Sequence, residues 1–273
     1  MSTSREAFGL VALGPVFVAA SIAAFAGEHF TIAASIAQLV PKWMPGRLLI
    51  AYFVGVAHLA AAVSFVARRY IRWSAIGLAL MFAMFVLLMD LPGAIAHPTK
   101  LISWILAARQ TTFSLGALAL FATEVRADRP QLARTISTVA RIWTAFVLVF
   151  YGLEHLANPQ YAPGVPSTAL TAAWIPLPHV IAYATGILLV AFGITMFIEK
   201  YASASAARSG LLMTLLTLVL YVPQFFIASG VPELVTAINF IFDTLLFAGT
   251  MFVISRAISE TGPRVVRALD SRP

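Results

Sequence analysis

The chain has 273 residues, of which 60% are hydrophobic and only 11% are charged. This composition supplies too little polar surface for a soluble globule of this size, so it predicts an integral membrane protein embedded in the lipid bilayer. The formal net charge of +7 does not indicate nucleic-acid binding, because the basic residues lie in short loops between apolar segments, and the lack of cysteine excludes disulfides, thiol exchange and thiolate metal sites.

Apolar segments near the bilayer-spanning length of about 20 residues occur eight times. They lie at residues 7–27, 47–67, 73–92, 101–122, 136–153, 179–198, 209–228 and 234–255. The pattern predicts an all-α fold, a polytopic membrane bundle of eight transmembrane helices. The loops between the segments are too short to hold a soluble catalytic domain.

An internal duplication relates the two halves of the chain. Residues 43–92 reappear at 174–223 with a constant offset of 131 residues and no gap, and 13 of the 50 aligned pairs are identical. Each half carries four spans, so both halves cross the membrane in the same direction. We expect two parallel four-helix repeats related by a pseudo-twofold axis along the membrane normal. We place the two domains at residues 1–126 and 127–273.

The distribution of Lys and Arg predicts the orientation. With a cytoplasmic N-terminus, fourteen basic residues face the cytoplasm, three face outwards (Lys42, Arg47 and Lys100) and Arg109 lies within a span. We therefore expect a multi-pass protein of the cytoplasmic (inner) membrane with both termini in the cytoplasm. The fourteen residues are Arg5, Arg68, Arg69, Arg72, Arg126, Arg129, Arg134, Arg141, Lys200, Arg208, Arg256, Arg264, Arg267 and Arg272.

A Glu–His pair ends the first span of each repeat, at Glu28-His29 and at Glu154-His155. The dipole at a helix C-terminus disfavours a carboxylate, so a carboxylate that occurs there in both repeats suggests a functional role. Two such pairs facing each other across the axis could bind a divalent metal or relay protons, because carboxylate and imidazole are ordinary ligands and proton carriers. The alternative is that Glu and His cap the helix and hydrogen-bond into the following loop.

Three further polar residues lie inside predicted spans. Arg109 is in the fourth span and Asp243 is at a similar depth in the eighth. An ionised group within the membrane is costly unless it is paired, so we expect a buried charge pair between the repeats, with binding of a substrate carboxylate or ion by Arg109 as the alternative. His58 is near the middle of the second span, where the other repeat has Leu189. It is either a packing residue bonded to the backbone or a ligand or proton-relay residue.

Several short motifs carry a resemblance to a known family. They are Gly27-Glu28-His29 and Gly152-Leu153-Glu154-His155, Trp43 and Pro45 with Trp174 and Pro176, Gly55 with Gly186, Arg68-Arg69, and Pro92 with Pro223. In this combination the chain resembles the DoxX-like family of bacterial integral membrane proteins, as a tandem duplication of its four-helix unit. The resemblance implies a link to quinone-dependent or thiol-dependent redox systems at the cytoplasmic membrane, often as an accessory subunit without its own prosthetic group.

No sequence motif identifies a reaction. Walker loops, the G-x-S-x-G elbow, H-E-x-x-H and dinucleotide fingerprints do not occur in the sequence. Our leading hypothesis is an accessory membrane protein that binds a quinone-like ligand non-covalently in an outward-facing cavity lined by Glu28, His29, Glu154 and His155. One alternative is a small proton-coupled transporter that uses Arg109, Asp243 and His58. Another is an oxidoreductase subunit whose redox partner protein supplies the redox centre.

Overall fold

The computed structural model describes residues 9–262, and within this part of the chain it is helical apart from loops and one isolated bridge between Tyr161 and Leu170. Eight helices are long and apolar enough to cross a membrane. They are α1 (Gly9–Thr31), α2 (Arg47–Ala67), α3 (Ile71–Ala96), α4 (Leu101–Val125), α5 (Pro130–Ala157), α6 (Pro178–Phe197), α7 (Glu199–Ile227) and α8 (Val231–Thr261). The predicted class, an all-α bundle of eight transmembrane helices, is therefore confirmed.

Several helices extend beyond the predicted spans. The largest difference is in α7, which begins at Glu199, ten residues before the predicted start at 209. Its first turns are rich in Ala and Ser and contain Lys200 and Arg208, so their hydropathy is low although their helix propensity is adequate. The start of the first predicted span at residues 7 and 8, together with Arg5, Arg264, Arg267 and Arg272, lies outside the described residues.

The packing of the helices repeats between the two halves. Helix α1 packs on α2 as α5 packs on α6, and α3 packs on α4 as α7 packs on α8. The halves meet through α4 and α8, which contact each other, while α8 also contacts α1 and α4 also contacts α5. This arrangement is that of two parallel four-helix repeats around a central α4–α8 pair. The linker between α4 and α5 runs from residue 126 to 129, and the domain boundary at 126/127 stays a prediction.

The duplication is visible in the details of the backbone. A π-helical turn interrupts α3 at Val86–Asp90 and α7 at Thr217–Tyr221, which is an offset of 131 residues. A proline follows each turn two residues later, and because proline has no N–H to donate, the widened turn accommodates the missing helical hydrogen bond. The residues before α2 and α6, Gly46 and Leu177, both have positive φ angles, of 65° and 48°.

Equivalent glycines bring the first two helices of each repeat together. A Cβ atom at Gly55 of α2 would lie 2.7 Å from the Cβ of His29 on α1, and one at Gly186 of α6 would lie 2.9 Å from the carbonyl oxygen of Gly152 on α5. Small residues at such crossings allow the close backbone approach by which membrane helices associate. The glycines therefore fix the position of the Glu–His segment in each repeat.

A group of polar residues within the spans gathers at one end of the bundle. This is the end at which α1, α3, α5 and α7 finish, and we call it the upper end. The polar residues there are Glu28, His29, Asp90, Arg109, Gln110, Glu154, His155, Asn239 and Asp243. The basic pattern predicts that the upper end faces outwards.

Candidate functional site

An ion pair joins the two repeats near the upper end. Arg109 Nη1 of α4 donates to Asp243 Oδ2 of α8 across 2.6 Å, and the two side chains are 20% and 22% exposed. The charge pair expected from the sequence is therefore present in the structure. Asp90 of α3 is within electrostatic range of Arg109, and the side-chain oxygen of Gln110 is buried without a hydrogen-bond partner among the described residues.

Glu28 belongs to the same polar group. Its Oε1 accepts a hydrogen bond of 3.0 Å from Asn239 Nδ2, and Asn239 lies one helical turn from Asp243 on α8. Glu28 is also close enough to Asp243 for the two carboxylates to repel each other. We call Glu28, Arg109, Asn239 and Asp243 the axial cluster. It links α1, α4 and α8 where the two repeats meet.

The second Glu–His pair is buried and held by its own repeat. His155 is 2% exposed, and its Nδ1 lies 2.7 Å from the carbonyl oxygen of Tyr151. A carbonyl oxygen can only accept a hydrogen bond, so Nδ1 carries the ring proton. The neutral ring therefore has its lone pair on Nε2, and this atom accepts a hydrogen bond of 2.8 Å from the backbone N–H of Gly164. Glu154 Oε2 lies 3.4 Å from His155 Nδ1. Both ring nitrogens of His155 thus have protein partners.

The donor to His155 comes from the loop between α5 and α6. Residues 162–166 of this loop are fully buried within the second repeat. The hydroxyl of Tyr221 donates to the carbonyl oxygen of Pro163, so a single peptide group, between Pro163 and Gly164, joins Tyr221 to His155. Gly164 has a φ of 117°, a conformation that side chains rarely adopt. The loop segment is therefore built to bring this peptide group to the histidine.

The first repeat has no equivalent of this inserted segment among the described residues. Its loop between α1 and α2 runs from residue 32 to 46, five residues shorter than the loop at 158–177. It forms a short helix, Ala33–Ile36, that packs on α2. His29 Nδ1 makes the same backbone contact as His155, 2.8 Å to the carbonyl oxygen of Phe25, but no described residue donates to its Nε2.

His29 instead faces the intramembrane histidine of α2. The rings of His29 and His58 are 5.5 Å apart between centroids, and Phe25 and Phe82 lie 6.4 Å and 6.0 Å from His58. His58 is 2% exposed, and neither of its ring nitrogens has a hydrogen-bond partner among residues 9–262. The first repeat thus contains a buried polar side chain in an aromatic setting, where the second repeat has Leu189.

A narrow apolar cavity lies below His58. It is lined by Phe65, Phe82 and Phe113, together with residues of α1, α4 and α8. Its volume of about 10 Å³ is the space of roughly one water molecule. Phe82 packs against the ring of His58 and also lines this cavity.

The four residues of the Glu–His pairs do not form one site. Among residues 9–262 no group of three or more His, Asp and Glu side chains is close enough to hold a metal ion. Glu28 binds Asn239, His29 faces His58, and His155 contacts Gly164. The two pairs therefore do not face each other in the described structure, because adjacent side chains point in different directions around a helix. Metal binding or proton relay by either pair stays a prediction.

Sequence reasoning did not identify the inserted loop or Tyr221. A signal was available in the spacing of the repeats. The Glu–His pairs are 126 residues apart, whereas the tryptophans at the following helix starts, Trp43 and Trp174, are 131 apart. The second loop must therefore be five residues longer, and an insertion beside a repeated His is a reason to ask whether the two sites still have the same partners.

Comparison with models of known protein families, with curated proteins and with solved structures finds no match to this chain.

Proposed function

We propose that the protein binds a lipophilic ligand of the quinone class in its first repeat, next to His58, and serves as an accessory component of a membrane redox system, as the DoxX-like resemblance implies. The observation that carries this proposal is the buried His58, whose two ring nitrogens have no partner among the described residues. The integral membrane character follows from the eight apolar helices.

His58 carries the energetic cost of a buried polar group that has no hydrogen-bond partner among the described residues. A buried polar group without a hydrogen bond costs about 1–3 kcal/mol, and the equivalent Leu189 shows that the fold accepts an aliphatic side chain in this position. Stability alone therefore does not explain His58. A ligand that bonds to the imidazole would offset the cost, which makes binding the simplest use of this residue.

The surroundings of His58 favour a ring-shaped ligand with oxygen substituents. Phe25 and Phe82 present aromatic surface on which a planar ring can stack. The imidazole of His58 supplies one donor and one acceptor when neutral, which suits a carbonyl or a hydroxyl group. A bound quinone would supply reversible transfer of electrons and protons. In this chain His29, His58 and Phe82 would hold it.

The test is to identify and measure lipophilic ligands on the full-length protein. We would purify it in mild detergent, analyse the organic extract by mass spectrometry, and measure binding of a decyl-substituted benzoquinone by equilibrium dialysis. We expect binding to wild type, loss of binding in His58→Leu, and retention of binding in His155→Leu, which removes a buried histidine from the second repeat instead. The proposal fails if wild type carries no such ligand and does not bind the probe, or if His58→Leu binds as well as wild type.

A proton-coupled carrier remains a second candidate, because the Arg109–Asp243 pair lies between two parallel repeats and is about one-fifth exposed. A carrier that alternates between two packings of its repeats would break and remake such a pair. Solute flux in proteoliposomes that depends on a pH gradient and disappears in Asp243→Asn would support transport. Unchanged flux in that variant would exclude a role for the pair.

A further inference from the structure

In the second repeat a peptide group of the chain itself lies between two polar side chains whose equivalents in the first repeat have no such partner. The Pro163–Gly164 peptide lies between Tyr221 of α7 and His155 of α5. The offsets of the duplication make Asp90 the equivalent of Tyr221 and His29 the equivalent of His155. The pseudo-twofold axis therefore relates the peptide's position to a position between Asp90 and His29.

The two groups in the first repeat have unused hydrogen-bonding capacity. Asp90 Oδ2 is buried without a hydrogen-bond partner in the described part of the chain. His29 has its Nδ1 bonded to the carbonyl of Phe25, so its neutral ring offers an acceptor at Nε2. Close by, His58 is buried and also lacks a partner among residues 9–262.

The residue differences between the repeats also change the size of the side chains around the Asp90 and Tyr221 positions. Tyr221 has a phenol ring that stacks on Phe240 with 5.1 Å between centroids. In the first repeat Asp90 has no ring, and Ala107 stands where the alignment of Gly116 with Gly249 places the equivalent of Phe240. The two aromatic rings of the second repeat thus correspond to an Asp and an Ala side chain in the first.

The hydrogen-bonding pattern differs in kind as well. In the second repeat the peptide accepts from Tyr221 and donates to His155. In the first repeat the carboxylate of Asp90 in its ionised form and the Nε2 of neutral His29 both accept. A ligand that joins them must donate at both ends, as the two hydroxyl groups of a quinol do. An oxidised quinone presents only carbonyl acceptors to the same pair.

We propose that each chain has one ligand site, which lies in the first repeat between His29 and Asp90, beside His58. This site selects the dihydroxy (quinol) form of the ligand over the quinone. The Pro163–Gly164 peptide fills the corresponding position of the second repeat. This inference deepens the proposed function and rests on it. It assigns the specificity for the reduced form to Asp90 and His29, and it gives the second repeat a structural role without a ligand site.

The experiment compares a decyl-substituted benzoquinol with the corresponding benzoquinone, which share ring and tail. Binding to the full chain in detergent is measured without oxygen by equilibrium dialysis. We expect one quinol per chain and a quinol affinity higher than that of the quinone by roughly tenfold or more, the size of one hydrogen bond to a charged group. We expect Asp90→Asn to reduce this preference by roughly the same factor, and Tyr221→Phe, in the second repeat, to leave it unchanged.

The outcomes separate this inference from the proposed function. Equal affinity for quinol and quinone, or two ligands per chain, would overturn the inference and leave the proposed function standing. Failure of both probes to bind would remove both. If Asp90→Asn does not fold, the stoichiometry and the quinol-to-quinone ratio of wild type still decide.

Discussion

Replacement of His58 by leucine should make the protein more stable while it abolishes ligand binding. The wild-type side chain is 2% exposed, and both ring nitrogens lack a hydrogen-bond partner among the described residues. Leucine occupies the equivalent position of the second repeat, at Leu189, where it is fully buried. His58→Leu therefore introduces the side chain that the same helix packing holds at Leu189 in the second repeat.

The expected gain follows from the cost of the unsatisfied group. A buried polar group without a partner costs about 1–3 kcal/mol, so His58→Leu should raise the free energy of unfolding by that amount. The reverse change, Leu189→His, buries an imidazole in the second repeat and should lower the free energy of unfolding by a similar amount. The two variants form a matched pair within one chain.

The assay is reversible unfolding in mild detergent with increasing sodium dodecyl sulfate, followed by circular dichroism and extrapolated linearly to zero denaturant. A second measurement with decyl-benzoquinol at about 100 times its dissociation constant should stabilise wild type by about 2.7 kcal/mol and leave His58→Leu unaffected. A loss of more than about 1 kcal/mol in ligand-free His58→Leu would refute the reasoning, since the nitrogens would then have partners in the native protein.

Three further changes test other contacts of the upper end by the same unfolding assay. Asp243→Asn should cost about 2–4 kcal/mol because it leaves Arg109 without its partner, and the double variant with Arg109→Gln should recover part of the loss; additive losses would contradict the pairing. Gly55→Val should cost about 2 kcal/mol or more and reduce probe binding, because its Cβ would lie 2.7 Å from the Cβ of His29; a neutral result would mean that α1 and α2 separate freely. His155→Leu should cost about 1–3 kcal/mol by removing the acceptor of the Gly164 N–H while probe binding persists; lost binding would place a ligand in the second repeat.

The fold could be predicted from the sequence because bilayer thickness imposes one length on every span. Eight apolar segments of that length specify eight helices, and the even number of spans in each repeat specifies the parallel arrangement. The Arg109–Asp243 pair was predictable for a related reason, since a charge within the membrane requires a partner. These features depend on strong patterns that are visible along the sequence itself.

The arrangement of the site could not be predicted in the same way. The Glu–His motif indicates that two residues are unusual, but the helix rotation sends Glu28 towards α8 and His29 towards α2. The partner of His155 is a backbone N–H from an irregular loop, and backbone groups leave no trace in residue identity. Two identical motifs therefore acquired different surroundings, and the five-residue insertion in the sequence signals a difference without showing which groups meet.

The π-helical turns at Val86–Asp90 and Thr217–Tyr221 also order the events in the history of the chain. A π turn corresponds to one inserted residue, and each α-helical residue rotates the following side chains by about 100°, so the insertion sets the face on which the residues after it lie. The turn occurs at equivalent residues in both copies. The simplest history is that an ancestral four-helix unit already had it. The five added loop residues and the differences at His58 and Asp90 occur in one copy only, and so they postdate the duplication: an inherited scaffold came first, and the specialisation of its two halves followed.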